Sequence, residues 1–155
     1  MRNQQLPYVR YITRRDGRVR AAHQAWDNLT LPVDDDFWKT HWPPNGWRCR
    51  CRVMSMTRRD YEQGYTLDRP GAETNPRAPL VKVPLNKQAP PEVAREYVNP
   101  RTGEVARVPL GIDPGFAYNP GQARQQALQQ QLEAKLKGVA PGLANAARRS
   151  GFRED

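Results

Sequence analysis

Pro43-Pro44-Asn45-Gly46-Trp47-Arg48-Cys49-Arg50-Cys51-Arg52-Val53 is the stretch from which the rest of the chain can be read. Two prolines fix successive φ angles and Asn-Gly supplies two residues tolerant of positive φ, so residues 43–46 read as a turn. From Trp47 onward, apolar residues and thiols alternate with arginine. Trp47, Cys49, Cys51 and Val53 fall on one face of an extended segment, and Arg48, Arg50 and Arg52 on the other. The pattern predicts a core strand from Trp47 to Val53. In such a strand the α-carbons of Cys49 and Cys51 stand about 6.6 Å apart, at the far limit for a disulfide. Two reduced thiols are the expected state.

On either side lies the only tract rich enough in large apolar side chains to bury a core. Leu6 to about Tyr65 holds all four Trp, both His and both Cys. Tyr8 to Thr13 and Arg18-Val19-Arg20, flanking Asp16-Gly17, read as a β-hairpin. Ala21 to Trp26 fits either one helical turn or an irregular connection, and Leu29-Thr30-Leu31 a short strand before Pro32. Asp34-Asp35-Asp36 stands where a cap and first-turn carboxylates favour a short helix carrying Phe37 and Trp38. Thr57-Arg58-Arg59-Asp60 has capping-box spacing and predicts another short helix through Gln63.

Beyond Thr66 the composition changes. Pro70, Pro76, Pro79, Pro84, Pro90 and Pro91 break up a stretch with few apolar residues, which reads as an extended linker. Tyr97 to Pro109, with Asn99-Pro100-Arg101-Thr102-Gly103 at its centre, predicts a second hairpin. Asn119 and Pro120 then open a helix that Gly138 stops. Leu128, Leu132 and Leu136 recur along it every four residues, a stripe too narrow for a buried helix and suited to docking on a partner. The tail from Arg148 to Asp155 reads as frayed. The expected fold is a small α+β domain of short β-hairpins and short helices over residues 1–66. An extended Pro-rich linker, 67–95, and a C-terminal arm, 96–155, with hairpin 97–109 and helix 120–137, complete it.

The 155 residues carry 25 Lys+Arg against 16 Asp+Glu, a formal charge of +9, with 15 Pro and only 37% hydrophobic residues. A core cannot run through the whole of such a chain, so part of it is expected to lean on a partner. No apolar run approaches the ~20 residues of a membrane span, and the first residues lack a secretory core. A soluble protein that stays where it is made, with no membrane partner, is therefore expected.

Among chemistry-bearing residues, His23, His41, Cys49 and Cys51 are the donor types that zinc prefers. Their spacing is not a standard zinc pattern, and the plainer reading makes the two thiols small buried hydrophobes beneath the Trp cluster, with each His bonded to backbone or carboxylate. His23, His41 and one of Asp34, Asp35 or Asp36 contain the group types for acid–base hydrolysis, but no phosphate loop, nucleophile elbow or HExxH accompanies them. The arginines give a third reading. Arg18 and Arg20 with Arg48, Arg50 and Arg52 would meet phosphates of DNA or carboxylates of an acidic partner.

The quoted residues also carry a resemblance. Asp16 to His23, Asp34-Asp35-Asp36-Phe37-Trp38, and His41-Trp42-Pro43-Pro44-Asn45-Gly46-Trp47-Arg48-Cys49-Arg50-Cys51 resemble the signature of the phage Mu protein F-like head morphogenesis family, minor head proteins of tailed phages. Asn99 to Gly121 resembles the C-terminal part of Mu-like members. Within the signature, Trp38, Pro43, Pro44, Gly46 and Trp47 are expected to form a rigid structural knot. Family members carry a helical region before the motif, so this chain is expected to be a C-terminal piece, or to borrow helices from an upstream polypeptide.

The resemblance implies a non-enzymatic minor capsid protein acting at the capsid or portal vertex, in head assembly or in DNA packaging and delivery. It would bind portal or major capsid protein, with phage double-stranded DNA as a further contact. It would reside in the virion, and in host cytoplasm during assembly. No cofactor is expected, apart from the zinc that the four donor residues could hold. The rival readings are a stand-alone basic nucleic-acid-binding module and a metal-dependent nuclease or toxin relative.

Overall fold

The computed structural model describes residues 6–69 and 75–151, the last two by their backbone alone; Pro70 and the tail beyond residue 151 lie outside the described residues. The elements in order are β1 (Tyr8–Ile12), α1 (Ala21–Ala25), β2 (Thr30–Pro32), α2 (Phe37–Thr40), β3 (Arg52–Met56), α3 (Arg58–Gln63), β4 (Tyr65–Asp68), β5 (Val81–Pro84), β6 (Ala94–Val98), β7 (Val105–Pro109), α4 (Pro120–Leu136) and α5 (Pro141–Gly151). The fold is α+β, with short hairpins and short helices. The chain divides into two compact units at the Asn119–Pro120 junction. No helix among the described residues is long and apolar enough to cross a membrane.

The first unit is organised by β1, the centre of a three-stranded antiparallel sheet ordered β2-β1-β3. Val9 stands opposite Leu31 on one side and Ser55 on the other. The edge of β2 is covered in turn by the chain at Asn86, whose carbonyl accepts from Thr30 N–H at 2.7 Å. Val9, Tyr11, Trp26, Leu29, Leu31, Phe37 and Trp38 fill the core, joined by Val108 and Ile112 from far along the chain.

Two strand predictions are corrected. Tyr8 to Thr13 does not form a hairpin with Arg18 to Arg20. The Asp16 carboxylate accepts from Arg18 N–H at 3.0 Å and its carbonyl from Val19 N–H at 3.1 Å, so the chain curls into α1 instead of running back. With Val19 the sole apolar residue there, the segment has no face to lay on the core. Nor does the core strand begin at Trp47. Gly46 O accepts from Cys49 N–H at 3.1 Å and Arg48 takes φ +61°, which breaks the extended backbone; pairing starts at Arg52, opposite Ile12. Trp47 is therefore 76% exposed and meets Phe116 edge-on at 5.3 Å, away from the core that encloses Trp38.

Local signals fare better where the hydrogen bonds close within a few residues. Phe37 N–H donates to Asp35 at 2.9 Å at the start of α2. Thr57 and Asp60 form the reciprocal capping box of α3, and Gly64, at φ +78°, ends it. Tyr8 stacks on Tyr61 at 3.8 Å, tying that helix to the sheet. Within the stretch read as linker, β4 and β5 pair antiparallel, Asp68 opposite Val81. The second hairpin forms as β6 and β7, starting three residues earlier than expected, and turns at Gly103, φ +72°.

In the second unit, α4 spans the predicted helix, and a further helix, α5, replaces the expected fraying at Arg148. Proline stands at the first position of α5, where its missing N–H costs nothing, and Arg148 makes a two-pronged pair with Glu133 at 3.0 and 2.9 Å. Along α4, Leu128 is exposed, Leu132 half-buried and Leu136 buried.

Candidate functional site

The loop from Trp47 to Cys51 lies against α1. Its position is set by one carboxylate from the turn after β7. Asp113 accepts from both ends of the Arg20 guanidinium, at 3.0 and 2.9 Å, and from Trp47 N–H at 2.9 Å. Arg20 also donates to Trp47 O at 3.2 Å. Gly46 is required at this crossing, because a β-carbon there would collide with the Asp113 carboxylate and Arg20. Next to it, Asn45 is fully buried and accepts from Tyr11 Oη at 2.8 Å, fastening the turn to the central strand.

So placed, Cys49 and Cys51 turn their sulfurs to one nitrogen. Nδ1 of His23 is 3.8 Å from Cys49 Sγ and 3.6 Å from Cys51 Sγ. On the other side of the imidazole, Nε2 lies 2.9 Å from Gly111 O. A carbonyl can only accept, so Nε2 carries the proton and Nδ1 presents its lone pair to the thiols. The ring is held flat against Trp26, with centroids 5.0 Å apart. Within this cluster Cys49 ionises more readily than a free thiol: the hydrogen bond from Cys51 is the main cause, with backbone N–H groups adding to it against the cost of burial. Cys51 shifts the opposite way, because a second thiolate beside Cys49 and in a half-buried site is disfavoured.

Of the four predicted metal donors, the fold brings three together. His41 also touches Trp26, edge to face at 4.8 Å, but it stacks on Phe37 at 4.1 Å and bonds Thr40 through Nδ1. Burial pushes its imidazole down to about 4, so it is neutral at pH 7. The predicted arginines separate too. Arg50 forms a two-pronged pair with Asp16 at 2.6 and 2.8 Å, and Arg20 is taken by Asp113. Arg18 and Arg48 line the mouth of a cavity of about 210 Å³ over the thiols, and Arg52 is exposed at the start of β3. The row of three on one strand face does not exist, because no strand spans Arg48 and Arg50.

Gly111 and Asp113 were missed as members of this site. They lie about ninety positions from His23 and Arg20, and their one signal in the sequence is the turn-rich run Gly111-Ile112-Asp113-Pro114-Gly115. Gly111 sits at φ +90°, and a β-carbon there would stand 2.5 Å from Ala22 Cβ and 3.1 Å from the Trp26 ring. Gly111→Ala is expected to lower stability by about 1–3 kcal/mol through strain and overpacking. Urea unfolding measures it, and a loss under about 0.5 kcal/mol would mean that the turn yields freely.

The family model described as Phage Mu protein F like protein matches residues 1–54. Over 118 residues the chain is 36% identical to the putative capsid assembly protein F of Escherichia phage Mu, covering 76% of this chain and 26% of that protein. The chain belongs to the Mu protein F-like family. It is also 45% identical over 51 residues to the Mu-like prophage FluMu F protein of Haemophilus influenzae, covering 33% of this chain and 12% of that one. It thus spans about a quarter or less of the curated relatives it matches, and no solved structure matches it. The Mu F-like match contains His23, Cys49, Cys51 and all five predicted arginines, whereas Gly111 and Asp113, which orient them, lie outside it.

Proposed function

We propose that this chain is a non-enzymatic component of phage head assembly that grips other head proteins, portal or major capsid protein, at the capsid or portal vertex, in the virion and in host cytoplasm during assembly. The observation that carries this reading is the 36% identity, over three quarters of the chain, to a phage Mu protein named for capsid assembly. The surface chemistry supports adhesion. Trp47 is a large, exposed ring whose backbone is pinned by Asp113 and whose side chain rests on Phe116. Little conformational entropy is then lost when a partner covers it, which suits an anchor residue. Arg18 and Arg48 beside it favour an acidic protein surface.

Co-sedimentation with heads assembled from the other structural proteins of the same phage tests this. The chain is expected to travel with heads, and Trp47→Ala to weaken the association at least about tenfold while leaving the melting temperature within a degree or two of wild type. Absence from heads would overturn the reading. DNA binding is the second outcome to measure. Arg20 and Arg50 are neutralised by Asp113 and Asp16, which leaves Arg18, Arg48 and Arg52 as the predicted cations for phosphate contact. A log–log salt slope near −3 or shallower is then expected for duplex DNA; a slope far steeper, without head association, favours the nucleic-acid module instead.

A further inference from the structure

We infer that His23 Nδ1, Cys49 Sγ and Cys51 Sγ bind one zinc ion, with the fourth coordination position opening into the arginine-lined cavity. The inference does not depend on the role in head assembly. All three donor atoms lie within 4.8 Å of one another. Zn–S bonds of about 2.3 Å and a Zn–N bond of about 2.05 Å at tetrahedral angles would place sulfur about 3.6 Å from nitrogen. The two observed separations are 3.6 and 3.8 Å. One imidazole nitrogen thus stands at ligand distance from two sulfurs at once, whereas its single lone pair can accept only one S–H.

The surroundings match a metal site as well. Metal-binding histidines usually donate their second N–H to a carbonyl or carboxylate, which fixes tautomer and ring direction; here His23 Nε2–H donates to Gly111 O at 2.9 Å. The stack on Trp26 removes the remaining rotation of the ring. Thiolate and imidazole donors favour zinc over magnesium or calcium, which require oxygen. Two thiolates and a zinc ion carry no net charge. Among the described residues no fourth His, Cys, Asp or Glu joins the cluster, and Cys49 opens toward Arg18, Arg48 and Arg50. A solvent oxygen or a small anion held by Arg18 and Arg48 fills the remaining position. The ion would staple the loop bearing Trp47 to α1.

The test uses the full 155-residue chain, purified under reducing conditions without a histidine tag. About one equivalent of zinc by mass spectrometry is expected. Replacement by cobalt should give tetrahedral d–d bands together with thiolate-to-cobalt charge transfer. Cys49→Ser, Cys51→Ser and His23→Ala should each weaken zinc binding by more than about 100-fold, whereas His41→Phe should retain the full equivalent. Because a ligand variant can fail to fold, the cobalt spectrum of the wild-type chain decides independently. Less than about a tenth of an equivalent after incubation with zinc, cobalt without charge transfer, or a Cys49–Cys51 disulfide in freshly reduced and dialysed protein would overturn the site.

Discussion

Trp26→Ala is expected to lower the stability of the first unit by about 3–5 kcal/mol, a large part of the ~5–15 kcal/mol that holds a domain together. The indole is 5% exposed and is the side chain on which the other rings converge. It meets Tyr11 edge-on at 5.8 Å, Phe37 at 6.1 Å and His41 at 4.8 Å, and lies flat under His23. Truncation removes the shared wall of the core and of the imidazole–thiol cluster together, and the void cannot collapse because the sheet and α2 stand on both sides of it. Urea unfolding followed by the fluorescence of Trp38, Trp42 and Trp47 measures the loss. Trp47→Ala is the control, expected to cost under about 1 kcal/mol because its ring is largely in solvent. A loss below about 1 kcal/mol for Trp26→Ala would refute this account of the core.

A second large effect is expected at Asp68. Arg10 points from β1 into the protein with only 2% of its surface exposed. Its guanidinium bonds Asn28 and, at 2.9 Å, Asp68 Oδ2. Arg15 reaches the same oxygen at 2.7 Å and Asp27 at 2.7 Å. Two cations thus share two carboxylates. Asp68→Ala leaves one carboxylate for both, with Arg10 still buried, and should cost about 3–5 kcal/mol. Changing Arg10 to Met and Asp68 to Leu together should cost much less, since no charge then remains uncompensated in the interior.

The same group predicts a pH dependence. Burial raises the Asp68 pKa, but the Arg69 N–H and the Arg15 and Arg10 guanidiniums outweigh it, and the net shift is downward. A carboxyl whose folded pKa lies below its unfolded value, near 3.9, stabilises the fold above that value. The contribution is lost as pH falls through the folded pKa. Wild type should therefore lose stability below about pH 4 more steeply than Asp68→Ala does. Parallel acid profiles would contradict the assignment.

The parts of the molecule that were legible in the sequence share a physical scale. The Thr57–Asp60 cap, the hairpin through Gly103, and the helix opening at Pro120 depend on φ preferences and hydrogen bonds that close within about six residues. The candidate donors His23, Cys49 and Cys51 could also be named, because imidazole and thiol chemistry belongs to the residue and not to its surroundings. The Trp47 to Val53 alternation misled for the same local reason. Side-chain pattern says nothing of a backbone that turns at Arg48 to deliver its N–H groups to Gly46 and Asp113.

By itself, then, the sequence determined the family, the α+β class, the short capped helices and the candidate donors. Only the tertiary structure decided that β1 lies between β2 and β3, that Trp47 faces outward, and that His23 but not His41 meets the two sulfurs. It also decided that Arg20 and Arg50 are neutralised by Asp113 and Asp16. These choices join residues up to 93 positions apart. They follow from which surfaces and charges remain uncovered once the local pieces have formed, and no short stretch of sequence contains that information.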